Sequence, residues 1–281
     1  MQYHEFGKTG VQVSDIGMGT WYDTSFIATS FLTRHQMGRD EKLAALRKGL
    51  DLGINLIDTA ELYRTESIVA DAIEGHDREK LFIATKVWPN HLRYNSLLKA
   101  AERSLKALKC SYIDLYQIHA PNPRVPIEET MKAMEKLVED AKVRFIGVSN
   151  FDLEQMKKAQ AALLKNKLAS NQVEYNLSKR KTENELLPYC EMSGIVILPY
   201  RPLAHGDLTK PSGKLKMVTD EISKAHGGKT PSQIALNWLI SKSRIIFPIP
   251  RASRPERVTE NIGALGWNLT DDEMKKLEEA A

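Results

Sequence analysis

The chain has 281 residues, 42% hydrophobic and 27% charged, with no low-complexity tract. That is enough to bury a sizeable core, either in two medium domains or in one large α/β barrel, and it excludes a disordered chain. Forty Lys and Arg against 36 Asp and Glu leave a net charge of +4, too slight an excess over such a length to imply nucleic acid. The two cysteines, Cys110 and Cys190, fit neither a metal-ligand spacing nor a disulfide framework, so a reduced, cytoplasmic setting is expected. The opening residues are polar and no apolar run approaches the roughly 18 residues a membrane helix needs, so neither secretion nor membrane contact is expected.

Along the chain, Tyr3 to Phe6 and Val11 to Val13 flank the turn Lys8-Thr9-Gly10 and predict a β-hairpin. Short apolar runs follow at 16–19, 54–57, 81–85, 113–118, 143–148, 171–173, 195–198 and 245–247. None alternates strictly between polar and apolar, the pattern of strands buried on both faces. Helical stripes lie between them, among them Leu43, Leu46 and Leu50; Leu98, Ala101, Leu105 and Leu108; and Ile127, Met131, Met134 and Val138. Thr182 with Glu185, Thr230 with Gln233 and Thr270 with Glu273 read as helix-capping boxes. Eight strands alternating with helices predict one (β/α)₈ barrel domain over residues 1–281, with the hairpin closing its bottom. Two βα connections are long, Tyr22 to Arg39 and Arg201 to about Met217, and long loops in a compact domain are usually functional.

In such a barrel the C-terminal strand ends surround the active site. The residues found there are Thr20, Asp58, Lys86, His119, Ser149-Asn150, Gln172, Tyr200 and Arg251. Singly each has a bland reading: Asp58 as a helix cap, His119 as a structural histidine. Together they put an acid, a base and a cation on one rim. Tyr63, just past Asp58, can turn its hydroxyl over the mouth. A phenol is a poor acid catalyst near neutrality unless a cation stabilises the phenolate, and Lys86, held by Asp58, can supply that cation. Neutral His119 can orient a substrate oxygen. This set suits proton donation to a carbonyl oxygen as hydride arrives at its carbon, and it needs no metal.

Hydride implies a cofactor, yet Gly17 and Gly19 do not continue into a G-x-G-x-x-G fingerprint. Arg251, Arg254 and Arg257, at or near a helix start, form instead a guanidinium cluster fitted to a phosphate, or else a solvated basic face. Tyr200 can stack on a planar ring, and Ser149, Asn150 and Gln172 can hold a carboxamide.

The motifs Gly17-Met18-Gly19-Thr20-Trp21, Asp58-Thr59-Ala60 with Tyr63, Thr85-Lys86, Asp114-Leu115-Tyr116-Gln117-Ile118-His119, Gly147-Val148-Ser149-Asn150-Phe151, Asn171-Gln172-Val173-Glu174-Tyr175 and Ile249-Pro250-Arg251 follow one another in an order that resembles the aldo-keto reductase superfamily. The resemblance implies a (β/α)₈ oxidoreductase of the alcohol dehydrogenase type, reducing small-molecule aldehydes or ketones with NADP(H), or also with NAD(H), through the tetrad Asp58, Tyr63, Lys86 and His119, with Tyr63 as general acid. It places Gly19, Thr20, Trp21, Asp58, Ser149, Asn150, Gln172, Tyr200, Arg201, Leu203, Arg251, Ala252, Arg257, Glu260 and Asn261 around the cofactor, and Trp21, Tyr63, Trp88 and His119 around the substrate. Trp88 also reads as an aromatic packed under a loop.

Departures from the family pattern are Arg64 where glycine follows the tyrosine, Ala120 where an aromatic residue follows the histidine, Arg201 where a small hydroxyl residue follows Tyr200, and Ala252 where a hydroxyl lies beside the 2′-phosphate. The end at Ala281 implies a member without a long C-terminal substrate loop. A monomer or weak homo-oligomer is expected. The rival function is a cofactor-binding regulatory or redox-sensing protein with little turnover, and a barrel hydrolase using a metal is the third reading.

Overall fold

The computed structural model describes residues 1–22 and 38–281. Seven parallel strands follow one another in sequence order: β3 (Met18–Gly19), β4 (Leu56–Asp58), β5 (Phe82–Val87), β6 (Ile113–Ile118), β7 (Val143–Ser149), β8 (Leu168–Glu174) and β9 (Val196–Tyr200). Helices alternate with them on the outside: α1 (Arg39–Asp51), α2 (Glu66–Ala72), α3 (Tyr94–Leu108), α4 (Ile127–Glu139), α5 (Leu153–Ala162), α6 (Leu186–Ser193), α7 (Gly213–Ala225), α8 (Pro231–Lys242), α9 (Pro255–Ile262) and α10 (Asp271–Ala280). The strands are short and apolar and helices such as α3 and α4 carry one apolar stripe, which packs on the outer face of the sheet, whereas α8 is buried nearly all round over Ile234–Leu239.

The eighth strand expected at 245–247 has no regular ladder, for a reason visible in its sequence. Its residues alternate in direction: Phe247 and Ile249 donate to the carbonyls of Ile197 and Pro199 in β9, while the carbonyls of Pro248 and Pro250 accept from Gly17 and Gly19 beside and within β3. The prolines have no N–H to return, so half of the ladder on the β3 side is missing. The segment bridges Ile197 to Ile246 and Gly19 to Arg251 in parallel, and thereby closes the sheet into a barrel.

The hairpin forms as expected, β1 (Tyr3–Glu5) pairing antiparallel with β2 (Gln12–Ser14). It sits at the N-terminal end of the barrel strands, where Phe6, fully buried, packs its ring 4.5 Å from Phe82 and 5.6 Å from Phe247. Phe6, Val13, Leu56, Phe82, Ala84, Leu115, Val196, Leu198, Phe247 and Ile249 fill the lower barrel interior. A larger cluster lies between strands and helices.

Two of the three expected caps are present, Thr230 with Gln233 on α8 and Thr270 with Glu273 on α10. The third is corrected: Thr182 lies inside a 3₁₀ turn, Lys181–Glu183, and Glu185, at the start of α6, makes no side-chain cap. The turn intervenes because Tyr175 donates its hydroxyl to Glu183 and anchors the chain before the helix begins. Sequence reading passed over a capping box at Asp152 and Gln155 on α5, which shapes the turn after Asn150. The connection after β9 is more ordered than expected, with a 3₁₀ turn at Ala204–Thr209 and α7 starting at Gly213. Most of the other long connection, 23–37, lies outside the described residues. Among the described residues no helix is long and apolar enough to cross a membrane.

Candidate active site

The C-terminal strand ends gather the charged and polar side chains that the lower interior excludes. Lys86, on β5, is fully buried, and its Nζ donates to Asp58 Oδ2 at 2.7 Å and to the Thr59 carbonyl at 2.8 Å. The other Asp58 oxygen accepts from Gln172 Nε2 at 2.8 Å, so both carboxylate oxygens have donors. Burial pushes the Asp58 carboxyl up, opposed by Lys86 and the Gln172 amide, and pushes the Lys86 ammonium down, opposed by Asp58. The mutual attraction is what allows a charged pair to exist at this depth.

Tyr63 closes a 3₁₀ turn, Glu61–Tyr63, that leaves the end of β4. Its hydroxyl lies 3.4 Å from His119 Nε2, and Lys86 Nζ lies 4.9 Å from the centre of its ring. Burial raises the phenol well above its ordinary value; the charges of Asp58 and Tyr200 raise it further and Arg201 opposes them. Two of the Lys86 N–H donors are directed to Asp58 and Thr59, and the ammonium stands beside the Tyr63 ring. The phenol is firmly protonated.

His119 follows β6, and burial, reinforced by the Lys86 charge, pushes its imidazole down to about 3, so the ring is neutral. Its Nδ1 is buried without a hydrogen-bond partner among the described residues. An orphaned acceptor there costs less than an orphaned N–H, which favours the proton on Nε2, facing the Tyr63 hydroxyl. Trp21, Tyr63, His119 and Trp88 form a chain of edge-on rings across the mouth, with centroid separations of 4.9, 5.3 and 5.2 Å.

Beside them, Ser149 Oγ donates to the Gln172 carbonyl at 2.9 Å, and Asn150 Nδ2 to the His119 carbonyl at 2.9 Å. Asn150 has φ 63°, a left-handed conformation that asparagine tolerates better than most residues. Its Oδ1 accepts from the Tyr200 hydroxyl at 2.9 Å, which holds that ring on the rim. Arg201 lies 3.6 Å from Glu174 and 5.8 Å from the centre of the Tyr200 ring, and Leu203 packs against the core below.

The third group lies where the closing segment meets α9. Arg251, Arg254 and Arg257 are exposed there; Arg251 donates to the Tyr22 carbonyl, and Arg254 lies 3.6 Å from Glu41. Other residues expected around the cofactor are committed within the fold. Thr20 is buried, its hydroxyl bonded to the Asp58 carbonyl at 3.0 Å and to Thr65 at 2.8 Å. Gly19 and the buried Ala252 share the barrel seam, Ala252 N–H donating to the Gly19 carbonyl. A Cβ on Gly19 would stand 2.8 Å from the Ile249 carbonyl, so glycine is needed for the seam itself. Glu260 accepts from the Thr230 hydroxyl at 3.0 Å and Asn261 is buried.

Sequence reading missed Glu61, whose carboxylate ties the Tyr63 turn to the Trp88 loop; its signal was its place inside the Asp58–Tyr63 motif. It also missed Glu66, buried on α2 and accepting from Thr85 at 2.7 Å beside Lys86. Among the described residues no group of three His, Cys, Asp or Glu side chains could hold a metal ion.

The chain is 36% identical over 274 residues to the methylglyoxal reductase YeaE of Escherichia coli, covering 96% of this chain and 92% of that one. The solved structure of a thermostable aldo-keto reductase, Tm1743, in complex with the inhibitor epalrestat superposes with a TM-score of 0.91 at 39% identity, all of both chains being covered. An aldo/keto reductase from Klebsiella pneumoniae, solved with NADP and acetate, gives 0.81 at 35% identity over 95% of this chain and 91% of that one. The model of the aldo/keto reductase family matches residues 15–281. The chain belongs to the aldo/keto reductase family of oxidoreductases.

Proposed function

We propose that this protein reduces small aldehydes and ketones, α-oxoaldehydes among them, to alcohols with NADPH, and that Tyr63 is the acid. The observation that carries the reading is the Tyr63 hydroxyl 3.4 Å from a neutral His119, above the buried Lys86–Asp58 pair. The E. coli relative's activity toward methylglyoxal supports the substrate class, and the NADP bound by the Klebsiella relative supports the cofactor.

The residues fit that cofactor by the chemistry of their donors. Three exposed guanidinium groups at or near the start of α9, with the backbone N–H groups of its first turn, match a dianionic 2′-phosphate. The Tyr200 ring would stack on the nicotinamide, and Ser149, Asn150 and Gln172 offer the donors and acceptors of a carboxamide clamp. When bound, the nicotinamide supplies hydride to the carbonyl carbon.

The rest of the chemistry belongs to the chain. His119 Nε2–H and the Tyr63 hydroxyl converge on one carbonyl oxygen and orient it, and the charge that develops there is met by donors already in place. Tyr63 then gives up its proton. An alkoxide is a stronger base than even a buried phenolate, so the transfer runs downhill despite the raised phenol. The Lys86 ammonium over the ring stabilises the phenolate that remains until solvent returns a proton. The aromatic wall of Trp21 and Trp88 limits water and favours a small substrate.

Purified protein assayed with methylglyoxal and with simple aldehydes, using NADPH and NADH in parallel, tests this reading. Tyr63→Phe is expected to fold and to bind NADPH, yet to lose about 10²–10⁴-fold in turnover. Undiminished turnover in that variant overturns the assignment of the acid.

A further inference from the structure

Glu61 is two residues before Tyr63 in the same 3₁₀ turn, and its side chain points away from the barrel mouth into a set of donors from two other elements. Oε2 accepts the backbone N–H of Trp88 at 3.1 Å and lies 3.0 Å from His91 Nδ1; Oε1 accepts from Arg103 Nη2, on α3, at 2.8 Å. Trp88 and His91 bracket one 3₁₀ turn, Pro89–His91, whose closing bond runs from the His91 N–H to the Trp88 carbonyl at 2.9 Å. One carboxylate therefore clasps the turn bearing Tyr63 to the turn bearing Trp88 and pins both to α3.

We propose that Glu61 is a specificity-determining positioning residue: by clamping the Trp88 turn to the Tyr63 turn, it fixes how far the Trp88 indole stands from the reacting oxygen and so sets the width of the substrate pocket. The Trp88 ring meets His119 edge-on at 5.2 Å while Trp21 meets Tyr63 edge-on at 4.9 Å, so the two indoles are the walls on either side of the Tyr63–His119 pair. Trp88 is only partly buried and Ala120 stands where the family has an aromatic residue, so that wall depends on the bonds that hold its turn, those to Glu61 and the one from Asn122 Nδ2 to the Pro89 carbonyl at 2.9 Å. Hydrogen bonds to a charged acceptor are stronger than neutral ones, and three of them converging on one carboxylate suit a part that must hold an angle as well as a distance.

The inference rests on the reductase reading, and the test separates the two. The parent protein is assayed with methylglyoxal and with a bulky aromatic aldehyde; turnover by the parent checks the reading. Glu61→Ala then checks the clasp: its preference for methylglyoxal over the aromatic aldehyde, taken as the ratio of kcat/KM values, is expected to fall about tenfold, chiefly through KM. Glu61→Gln keeps an acceptor for the Trp88 N–H and should restore most of the preference. Equal losses on both substrates, the mark of a merely structural role, overturn the proposal. A readout independent of turnover is acrylamide quenching of tryptophan emission, compared between Glu61→Ala and Glu61→Ala with Trp88→Phe. The Trp88 contribution should become more accessible than in the parent, measured against Trp88→Phe alone; an unchanged Trp88 contribution overturns the clasp even in a protein without turnover.

Discussion

The two ends of the barrel are built from the same strands and do opposite things. β5 begins with Phe82, under the ring of Phe6, and carries Lys86 near its other end; β4 runs from Leu56 to Asp58, and β9 from Val196 to Tyr200. At the bottom an apolar cluster fills the interior beneath Phe6 of the hairpin. At the top the interior holds a carboxylate, an ammonium, an imidazole and a phenol, each pushed toward its neutral form by burial. The bottom stabilises the fold by excluding water; the top gives up part of that stabilisation to hold groups whose protons can move. Function and stability should therefore separate along a single strand.

Substitutions at the two ends break the comparison most directly. Phe6→Ala empties the plug and is expected to cost about 3–5 kcal/mol, a drop of about 10 °C in melting temperature, with turnover at low temperature unchanged. Asp58→Asn with Lys86→Met removes both charges while leaving an acceptor for the Gln172 amide. Replacing a buried ion pair as a unit is often neutral for stability, so this variant should melt within a few degrees of the parent and yet turn over about 10²–10⁴-fold more slowly. Thermal melts and initial rates on the same samples decide the matter. If the double replacement melts far below Phe6→Ala, the upper layer is stabilising the barrel as much as the lower one, and the contrast fails.

Acid should act on the top and spare the bottom. His119 is held down to about 3 from an ordinary 6.5, mainly by burial. Between those values the unfolded chain binds a proton that the folded chain refuses, so stability is full above about pH 6.5 and declines as the pH falls toward 3, by up to about 1.4 kcal/mol per unit from this one group. His119→Gln removes the titration and should flatten the acid limb of a stability-against-pH curve, whereas Phe6→Ala should shift the whole curve down without changing its slope. An acid limb equally steep in His119→Gln would assign the acid sensitivity to other groups.

The bottom and the top were not equally legible in the sequence. Strand order, the hairpin and most helices were readable because hydrophobic periodicity and turn residues act locally. The eighth strand was readable as an apolar run, but its broken ladder comes from Pro248 and Pro250 facing β3, which depends on register. The site residues Asp58, Lys86 and His119 could be picked out because each ends an apolar run. Their electrostatics could not: whether the Lys86 ammonium serves the Tyr63 phenol or the Asp58 carboxylate is set by distances of a few ångströms between chain-distant atoms. Glu61 was hidden for the same reason, since its three partners come from two segments farther along the chain. That Thr20 joins a buried hydroxyl cluster and that Ala252, which stands where the family has a hydroxyl, lies in the barrel seam depend on register and closure, and no local pattern announces either.

Arg64 gives the smallest and sharpest test of the upper end. The family pattern has glycine after the tyrosine, and the structure shows why: position 64 has φ 59° and ψ 24°, the left-handed conformation that turns the chain from the Tyr63 turn toward α2. A residue with a Cβ costs roughly 1–2 kcal/mol there. Glycine would relieve that strain and lose part of the gain to its greater freedom in the unfolded chain, leaving a net stabilisation of up to about 1 kcal/mol. Arg64→Gly is thus expected to raise the melting temperature slightly. If it instead melts lower, the arginine side chain offsets its own backbone strain, and the turn carrying Tyr63 is held by a contact at position 64 as well as by the Glu61 clasp. If the variant melts higher but turns over more slowly, the strained backbone is part of what holds the phenol against His119, and the upper end of the barrel trades stability for geometry in its main chain as well as in its buried charges.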